Sequence, residues 1–543
     1  MNPTPEQKEI IDYTGHIVVI ANPGSGKTFT ISQKIISILG ELEFYQGVIA
    51  ISYTNKASRE LEKRCLGNGA DRKSSFFGTM DKFYITEIVF SFGRHIFGTP
   101  KKELEIIDVK NEFFKAFTGF EDLESENAEK DIDAWINNNF ASLVKLYVEG
   151  YVLLESISKL ALYIIDNCIS CRKYLKARYK YVFIDEYQDS GSDQHDVFIK
   201  LKDLGIISVA VGDTNQSIFG FSKKSSEFLV RLAQNADFKL FHLTKNRRCH
   251  PSIINYASKL ISKGFTDYIS SNETRIFSKS INGGEKETAE WLNAVIPKVI
   301  THFGVESRNE IGILVRNSRT GKMLQKNLTL ENKFFGSTPF DGNRSLWGSI
   351  FESILNFIYD DSLTKYELVG NYLDIELQAG KAREFMRLLS AVECYKDNIL
   401  EMQKSSPIFI KIARIIYPQA ENITAVTTLN IVLNSPELLE FFKPADKNQI
   451  QIMSLHKSKG LEFEVVFHLD LHRYVLPKEF NGEYPEAIQD LNLHYVGITR
   501  AKKCCVLCTS TVRVNGKGET KTGDPSIFLQ LNRLYPLRSP FMY

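Results

Sequence analysis

Residues 17–28 read Ile17-Val18-Val19-Ile20-Ala21-Asn22-Pro23-Gly24-Ser25-Gly26-Lys27-Thr28. The apolar β-formers predict a buried strand, the glycines a tight loop, and the residues from Lys27 onward a helix. In such a strand–loop–helix unit, backbone N–H groups can wrap a phosphate chain, and the helix N-terminus favours negative charge. Ala21, Asn22, Pro23, Gly24, Ser25 and Gly26 then form the cradle. Lys27 reaches the β- and γ-phosphates, and the Thr28 hydroxyl ligates magnesium. Ala21 stands where the general pattern has its first glycine, and the loop by itself specifies only a nucleotide.

Outward from this loop, short apolar runs recur at Val48–Ser52, Tyr181–Ile184, Ser208–Val211, Ile311–Val315, Gln451–Leu455, Val465–Leu469 and Val506–Thr509. Most end near Gly, Asp or Thr, and a helical pattern often follows, as from about Asn55 to Cys65. Fully apolar strands alternating with helices predict parallel sheets covered on both faces, with ligands bound just past strand ends. Two stretches, from about Tyr84 to Tyr179 and from about Gly342 to Lys447, are helical with few strand signals. The expected fold is α/β: two parallel-sheet units, each with a mainly helical insertion. The first unit takes residues 1–83 and 180–260 around an insertion at 84–179. The second takes 261–341 and 448–543 around an insertion at 342–447.

The 543 residues carry a formal net charge of +2 and are 43% hydrophobic, which argues against a chain that coats nucleic acid indiscriminately. Any nucleic-acid site must be a local groove, for which 37 Phe and 23 Tyr could supply stacking platforms. The N-terminus carries no secretory signal and no apolar run is long enough to span a bilayer, so a cytoplasmic chain without membrane contact is expected. Eight cysteines in a chain of this length do not suggest a disulfide framework. Cys168/Cys171 and Cys505/Cys508 form CxxC pairs without the Gly, Pro or His context of a metal knuckle. They read as parts of an apolar helix and a buried strand.

Asp185-Glu186 follows the apolar run Tyr181–Ile184, where one carboxylate can hold magnesium and its neighbour polarise an attacking water. Asp185-Glu186-Tyr187-Gln188-Asp189 resembles the DExQD signature of UvrD/Rep/PcrA-like superfamily-one helicases, and further signatures follow in family order. Asn2-Pro3 and Gln7 resemble the adenine-reading Q motif. Tyr53-Thr54-Asn55-Lys56-Ala57 resembles TFTNKAA, and Gly78-Thr79-Met80-Asp81-Lys82-Phe83 stands at the GTxHxF position. Val211 to Phe219 is similar to VGDxxQSIY, and Leu243 to Arg248 to LxxNYR. Ser454 to Phe463 is similar to TxHxSKGLEF, and Tyr495 to Lys502 to YVAxTRAK. The resemblance spans the chain apart from the two helical stretches.

The resemblance implies two RecA-like motor domains with ATP between them and single-stranded or tailed duplex DNA across their upper surface. Lys27 and Thr28 would bind phosphate and Mg2+, Asp185 would bind Mg2+, and Glu186 would be the catalytic base. Gln216 would sense the γ-phosphate, with Arg248 and Arg500 as arginine fingers. Gln7, Arg247 and Glu462 would complete the nucleotide site. Tyr53, Phe219 and Phe221 would stack on bases, while Asn55, Thr79 and His456 would touch the DNA backbone. Movement would be 3′-to-5′. Three positions depart from the family: Arg247 replaces the adenine-stacking Tyr, Ser222 replaces an Arg, and Asp81 stands where His is frequent. The compact length is similar to that of the helicase-like subunit of the Gabija anti-phage system. It suggests either a minimal helicase for repair, replication or defence, or a DNA-activated ATPase working with a partner nuclease or repair protein.

Overall fold

The computed structural model describes residues 2–542 except 54, 68, 103, 110, 121–127, 217–225, 343–344, 361–363, 374, 376–377, 417–421, 480–483, 485–486 and 516–517. The side chains of residues 55–56, 112, 128–131, 342 and 346 also lie outside that description. The first sheet begins with β1 (Ile17–Ala21), β2 (Gly47–Ile51) and β3 (Phe76–Gly78). A small pair, β4 (Glu105–Ile107) and β5 (Tyr151–Leu153), lies within the helical stretch that follows. The chain then returns to the sheet as β6 (Tyr179–Ile184), β7 (Ile207–Gly212) and β8 (Lys239–Leu243). Strand order is β3-β2-β6-β7-β1-β8, and every pairing is parallel.

Side chains on these strands alternate between two cores, as the period of two requires. Ile17, Val19, Val48, Ala50 and Phe183 face one. Val18, Ile49, Ile51, Val182 and Ile184 face the other, which continues into the first helical insertion through Phe83, Ile88, Leu160 and Ile164. This insertion therefore shares the core of its sheet.

The second sheet comprises β9 (Ile276–Ile281), β10 (Ile311–Val315), β11 (Asn332–Phe335), β12 (Ile450–Ser454), β13 (Phe463–His468) and β14 (Ala501–Ser510). After an antiparallel ribbon of β15 (Val512–Val514) and β16 (Thr520–Thr522), β17 (Ser539–Pro540) completes it. The order is β11-β12-β10-β13-β14-β9-β17, again parallel throughout. The second insertion has its own core around Trp347, Phe351, Phe385, Phe409 and Leu429. Helix Pro251–Ile261 packs beneath the second sheet beside helix Ala487–Thr499. The chain thus crosses between sheets before Pro251, earlier than the boundary at 260 read from the sequence.

Purely parallel sheets with helices on both faces agree with two RecA-like domains. Five strands of the two described sheets escaped the sequence reading: β3, β8, β9, β11 and β17. β3, β8, β11 and β17 are sheet edges, and β9 is covered on its outer side only by the two-residue β17 and is buried at just three of its six positions, so none shows the continuous apolar run of a central strand. The cysteines are free; Cys168 and Cys171 are buried at a helix junction, and Cys504, Cys505 and Cys508 are buried on β14. Burial pushes the Cys171 thiol up to about 12. Among the described residues, no helix is long and apolar enough to cross a membrane.

Helix Ala487–Thr499 is buried from Asn492 to Thr499 and lies tightly on β13. A Cβ at Gly497 would come within 2.9 Å of the His468 ring. His494 Nδ1 lies 3.0 Å from His468 Nε2, both rings fully buried. Burial lowers the His468 pKa to about 4; burial and the His468 ring lower that of His494 further. The unfolded chain binds protons here from about pH 6.5 downward, whereas the folded chain does not. Folding stability should be complete above about pH 6.5 and fall toward pH 4, by up to about 1.4 kcal/mol per pH unit for each histidine. Urea midpoints at pH 7.5 and 5.5 test this, and equal midpoints would contradict it.

Candidate nucleotide-binding cleft

The phosphate loop follows β1 and is tied to the adjacent strand, since Asn22 N–H donates to the Leu243 carbonyl at 2.9 Å and Arg247 N–H to the Gly24 carbonyl at 2.9 Å. Asn22 Nδ2 also donates to the Thr244 carbonyl at 3.2 Å. Gly24 (φ +66°) and Gly26 (φ +88°) occupy the left-handed region. Space is closed as well. A Cβ on Gly24 would lie 2.7 Å from Asn246 Oδ1, and one on Gly26 2.6 Å from Gln7 Nε2. Gly26→Ala should therefore lower stability by about 1 kcal/mol or more and abolish triphosphate binding. Thermal melts and equilibrium titration read the two effects separately, and an unchanged affinity would contradict the second.

Beside the loop, parallel strands deliver their C-terminal residues to one edge. Asp185 follows β6 with its N–H on the Ile51 carbonyl (3.0 Å), and Glu186 turns away with φ +58°. That conformation costs a non-glycine residue free energy and is held here by three partners. Glu186 Oε1 accepts from Lys27 Nζ at 3.3 Å, Glu186 Oε2 accepts from Gln188 Nε2, and Glu186 N–H donates to Asp185 Oδ1 at 3.0 Å. Gln188 Oε1 in turn accepts from Asp213 N–H (3.0 Å), and Gln216 Nε2 donates to Asp213 Oδ2 (2.8 Å).

Charge is concentrated here. Burial pushes Asp185 and Asp213 above the usual carboxylate range, and neighbouring Glu186 adds to both shifts. Burial also opposes ionisation of Glu186, but Lys27 and Lys459 outweigh it and hold Glu186 below the usual range. Lys27 is raised because Glu186, Asp213 and Asp185 together exceed its desolvation.

The second sheet supplies the opposite wall from the residues just before β13 and β14. Arg500 is 3% exposed; its Nε donates to the Val496 carbonyl (3.2 Å), Nη1 to the Leu461 carbonyl (3.2 Å) and Nη2 to Gln216 Oε1 (3.5 Å). Among the described residues, no carboxylate pairs with it. Burial and the nearby Arg248 guanidinium lower its pKa to about 10, so it remains cationic at neutral pH. A buried cation without a carboxylate in contact is costly; Glu186 and Asp213 offset part of that cost from a distance, and an anion in the cleft would offset more. Arg248 Nε meets Glu462 Oε2 at 2.8 Å, and Lys502 Nζ holds Glu462 Oε1 at 3.0 Å. Lys459 Nζ crosses to Asp189 Oδ2 (2.5 Å) and the Gln216 carbonyl (3.0 Å), joining the two walls.

The structure thus gathers Gln7, Asn22 to Lys27, Glu186, Gln216, Arg247, Arg248, Glu462 and Arg500 around one cleft, with Ala21 and Pro23 buried, Asp185 buried beside Glu186, and Thr28 half-buried next to Lys27 in the first turn of its helix. Arg247 is exposed at the mouth. The residues read as DNA contacts are more scattered. Tyr53 and Thr79 follow the adjacent strands β2 and β3, whose ends are linked by Ser52 N–H to the Gly78 carbonyl at 3.2 Å. The Thr79 hydroxyl accepts from Lys82 N–H (3.4 Å) and so caps a helix. His456 follows β12, and burial with Arg316 and Lys459 lowers its pKa to about 4, leaving a neutral ring. Asn55 opens helix Asn55–Leu66, and its side chain lies outside the description, as do Phe219 and Phe221 entirely. Gln188, Asp213, Asn246 and Lys459 were given no role from the sequence. All lie inside the motifs quoted above, which is the signal that could have found them.

Oxygen donors dominate the floor. The Ser25 hydroxyl is buried without a hydrogen-bond partner, and the glycine cradle has no room for a Cβ. These features fit a phosphate chain with a hard cation such as Mg2+, which takes one or two carboxylates and completes its shell with phosphate and water.

Two family models match the chain. The UvrD/REP helicase N-terminal domain matches residues 3–149 and 121–237, and the UvrD-like helicase C-terminal domain residues 353–511. The chain belongs to the UvrD/Rep helicase family. Gabija protein GajB of Bacillus cereus (strain VD045) is 28% identical, over 91% of this chain and 93% of its own. ATP-dependent DNA helicase Rep of Buchnera aphidicola subsp. Schizaphis graminum is 23% identical over 96% and 95%. ATP-dependent DNA helicase PcrA of Staphylococcus aureus (strain MRSA252) is 20% identical over 97% and 85%.

Proposed function

We propose that this chain is an ATP-dependent DNA helicase that moves 3′-to-5′ along a single strand, using hydrolysis in the cleft between its two sheets. The observation that carries the reading is Arg500: a buried guanidinium from the second sheet, unpaired with any described carboxylate, touching Gln216 on the first. A triphosphate in the loop would supply its counterion and draw the two walls together. Lys27 and the loop N–H groups bind the phosphates, Thr28 and Asp185 hold Mg2+, Glu186 takes a proton from the attacking water, and Arg248 and Arg500 stabilise charge on the transferring group. Bound Mg2+ supplies Lewis-acid neutralisation of the phosphate oxygens. Gln7, Arg247 and Glu462 complete the nucleotide site in this reading.

Residues 1–83 and 180 to about 248 form the first motor domain, with 84–179 inserted; the second motor domain follows, with 342–447 inserted. DNA crosses the ends of β2 and β3 at Tyr53, Asn55 and Thr79, with Phe219, Phe221 and His456 as further contacts. The names of Rep and PcrA support ATP and DNA as substrates. Steady-state ATP hydrolysis with and without single-stranded DNA tests the reading. Strong stimulation is expected, and DNA-independent turnover would contradict it.

A second reading is favoured by length. The GajB alignment runs over 519 positions, whereas the Rep alignment needs 636, more than the chain contains, so Rep carries segments that this chain lacks. In this reading the protein is a DNA-activated ATPase that works with a partner nuclease in anti-phage defence and unwinds little. Unwinding of a tailed duplex by the isolated protein separates the two.

A further inference from the structure

The second sheet and the second insertion leave a cavity of about 450 Å³ between them, within the range of small-molecule sites. Its apolar walls are Phe335 at the end of β11, Met453 on β12, and Phe441 and Phe442 from the insertion. The Phe441 ring lies over Gly336, where a Cβ would come within 2.9 Å of it. Helix Leu346–Tyr359 supplies a polar wall. Glu352 and Asn356 are one turn apart on the same face, Asp360 caps the helix end beyond them, and all three line the cavity. The C-terminal end of a helix favours a cation.

Two lysines also line the cavity, and both are committed. Lys457 Nζ donates to the Gly336 carbonyl (2.6 Å) and to Asp341 Oδ2 (3.2 Å). Lys443 Nζ pairs with Glu440 Oε1 and lies over the Tyr359 ring, 5.6 Å from its centre. Glu352 has no such partner: among the described residues it makes no hydrogen bond or ion pair. Burial, with Asp341 nearby, pushes its carboxyl above the usual range against the pull of Lys457. The Thr338 hydroxyl, which also lines the cavity, is buried without a hydrogen-bond partner. Desolvated acceptors without donors cost free energy, which a guest carrying N–H groups would recover.

We propose that this cavity binds an alkylguanidinium, presented as an arginine side chain of a protein partner or as a free small molecule. The planar head carries several N–H donors, enough for Glu352, the Asn356 amide oxygen and Thr338 together, and its faces suit the phenylalanine walls. It is more weakly hydrated than an ammonium, so desolvation costs it less. A phosphodiester is disfavoured here, because it would meet Glu352, Asp341 and Asp360 while both lysines are already held. Occupancy of the cavity needs no nucleotide, so its test stands apart from ATP binding.

Ligand-observed NMR titration of the full chain tests this with n-butylguanidinium, its neutral isostere n-butylurea, and the capped tripeptide acetyl-Gly-Arg-Gly-amide. n-Butylguanidinium should bind with a dissociation constant on the order of 1 mM, and the urea roughly tenfold more weakly. Glu352→Gln keeps the shape and should weaken guanidinium binding roughly tenfold, with ATP hydrolysis unchanged. Tripeptide binding as tight as that of n-butylguanidinium would assign the guest to a protein side chain. Binding of n-butylguanidinium alone would assign it to a small molecule. Equal affinity for the urea, or binding indifferent to Glu352→Gln, would overturn the cation site and leave only an apolar hollow. Failure of both guanidinium probes to bind would overturn it as well. A single-stranded oligonucleotide that displaces n-butylguanidinium, and binds Glu352→Gln more tightly, would overturn it in favour of a nucleic-acid track. If Glu352→Gln does not fold, the comparison with the urea on wild-type protein decides.

Discussion

Arg500→Ala is expected to lower the turnover number for ATP by about 10³-fold to 10⁵-fold, the range for loss of an arginine finger. The side chain is buried and reaches Gln216 from the opposite wall, so its charge acts where water cannot screen it. Removing it leaves the Val496 and Leu461 carbonyls without their guanidinium donor but also removes an unpaired buried charge, so the fold should survive. ATP affinity should fall far less than turnover, because Lys27 and the loop are untouched. Arg500→Lys should not rescue the rate, since an ammonium cannot hold two carbonyls and a phosphate oxygen in one plane. Single-turnover kinetics with independently measured affinity check this. Turnover within a few-fold of wild type would remove Arg500 from the transition state.

Glu186→Gln should lower turnover by about 10²-fold to 10⁴-fold, the usual contribution of a general base, while ATP binding persists. Shape is conserved, so the left-handed turn at residue 186 remains. The Gln188 amide, which now donates to Glu186 Oε2, would face another amide. It can keep its bond from Asp213 N–H only if the new side chain presents its oxygen. Lys27 loses its nearest carboxylate yet keeps Asp185 and Asp213 as counter-charges, so the phosphate cradle should hold or tighten. A variant that turns over like wild type would exclude Glu186 as the base. A variant that fails to bind ATP would show that its main task is to hold Lys27.

Much of this was legible in the linear chain because it is local. The loop from Ala21 to Thr28 needs only a strand, two glycines with positive φ and a helix start, all written within twelve residues. Central strands such as Tyr179–Ile184 are buried on both faces and announce themselves as apolar runs; edge strands such as Lys239–Leu243 do not, because half of their surface meets water. The crossover before Pro251 was read late for a similar reason. Helix periodicity shows which face of Pro251–Ile261 is apolar but not which sheet covers it.

By itself, then, the sequence determined two parallel α/β units, the phosphate loop, and the set of charged groups available to the cleft. Only the tertiary structure decided their partners. It placed Gln7 beneath the loop, spent the Thr79 hydroxyl on a helix cap, gave Arg248 to Glu462, and sent Lys459 across to Asp189. The physical reason is distance along the chain. Short motifs fix local backbone geometry, whereas Lys459 and Asp189 are 270 residues apart and meet only because the tertiary fold brings a residue just before β13 of the second sheet to one just after β6 of the first. Whether a buried charge finds a carboxylate, a carbonyl or an empty place for a phosphate depends on that placement.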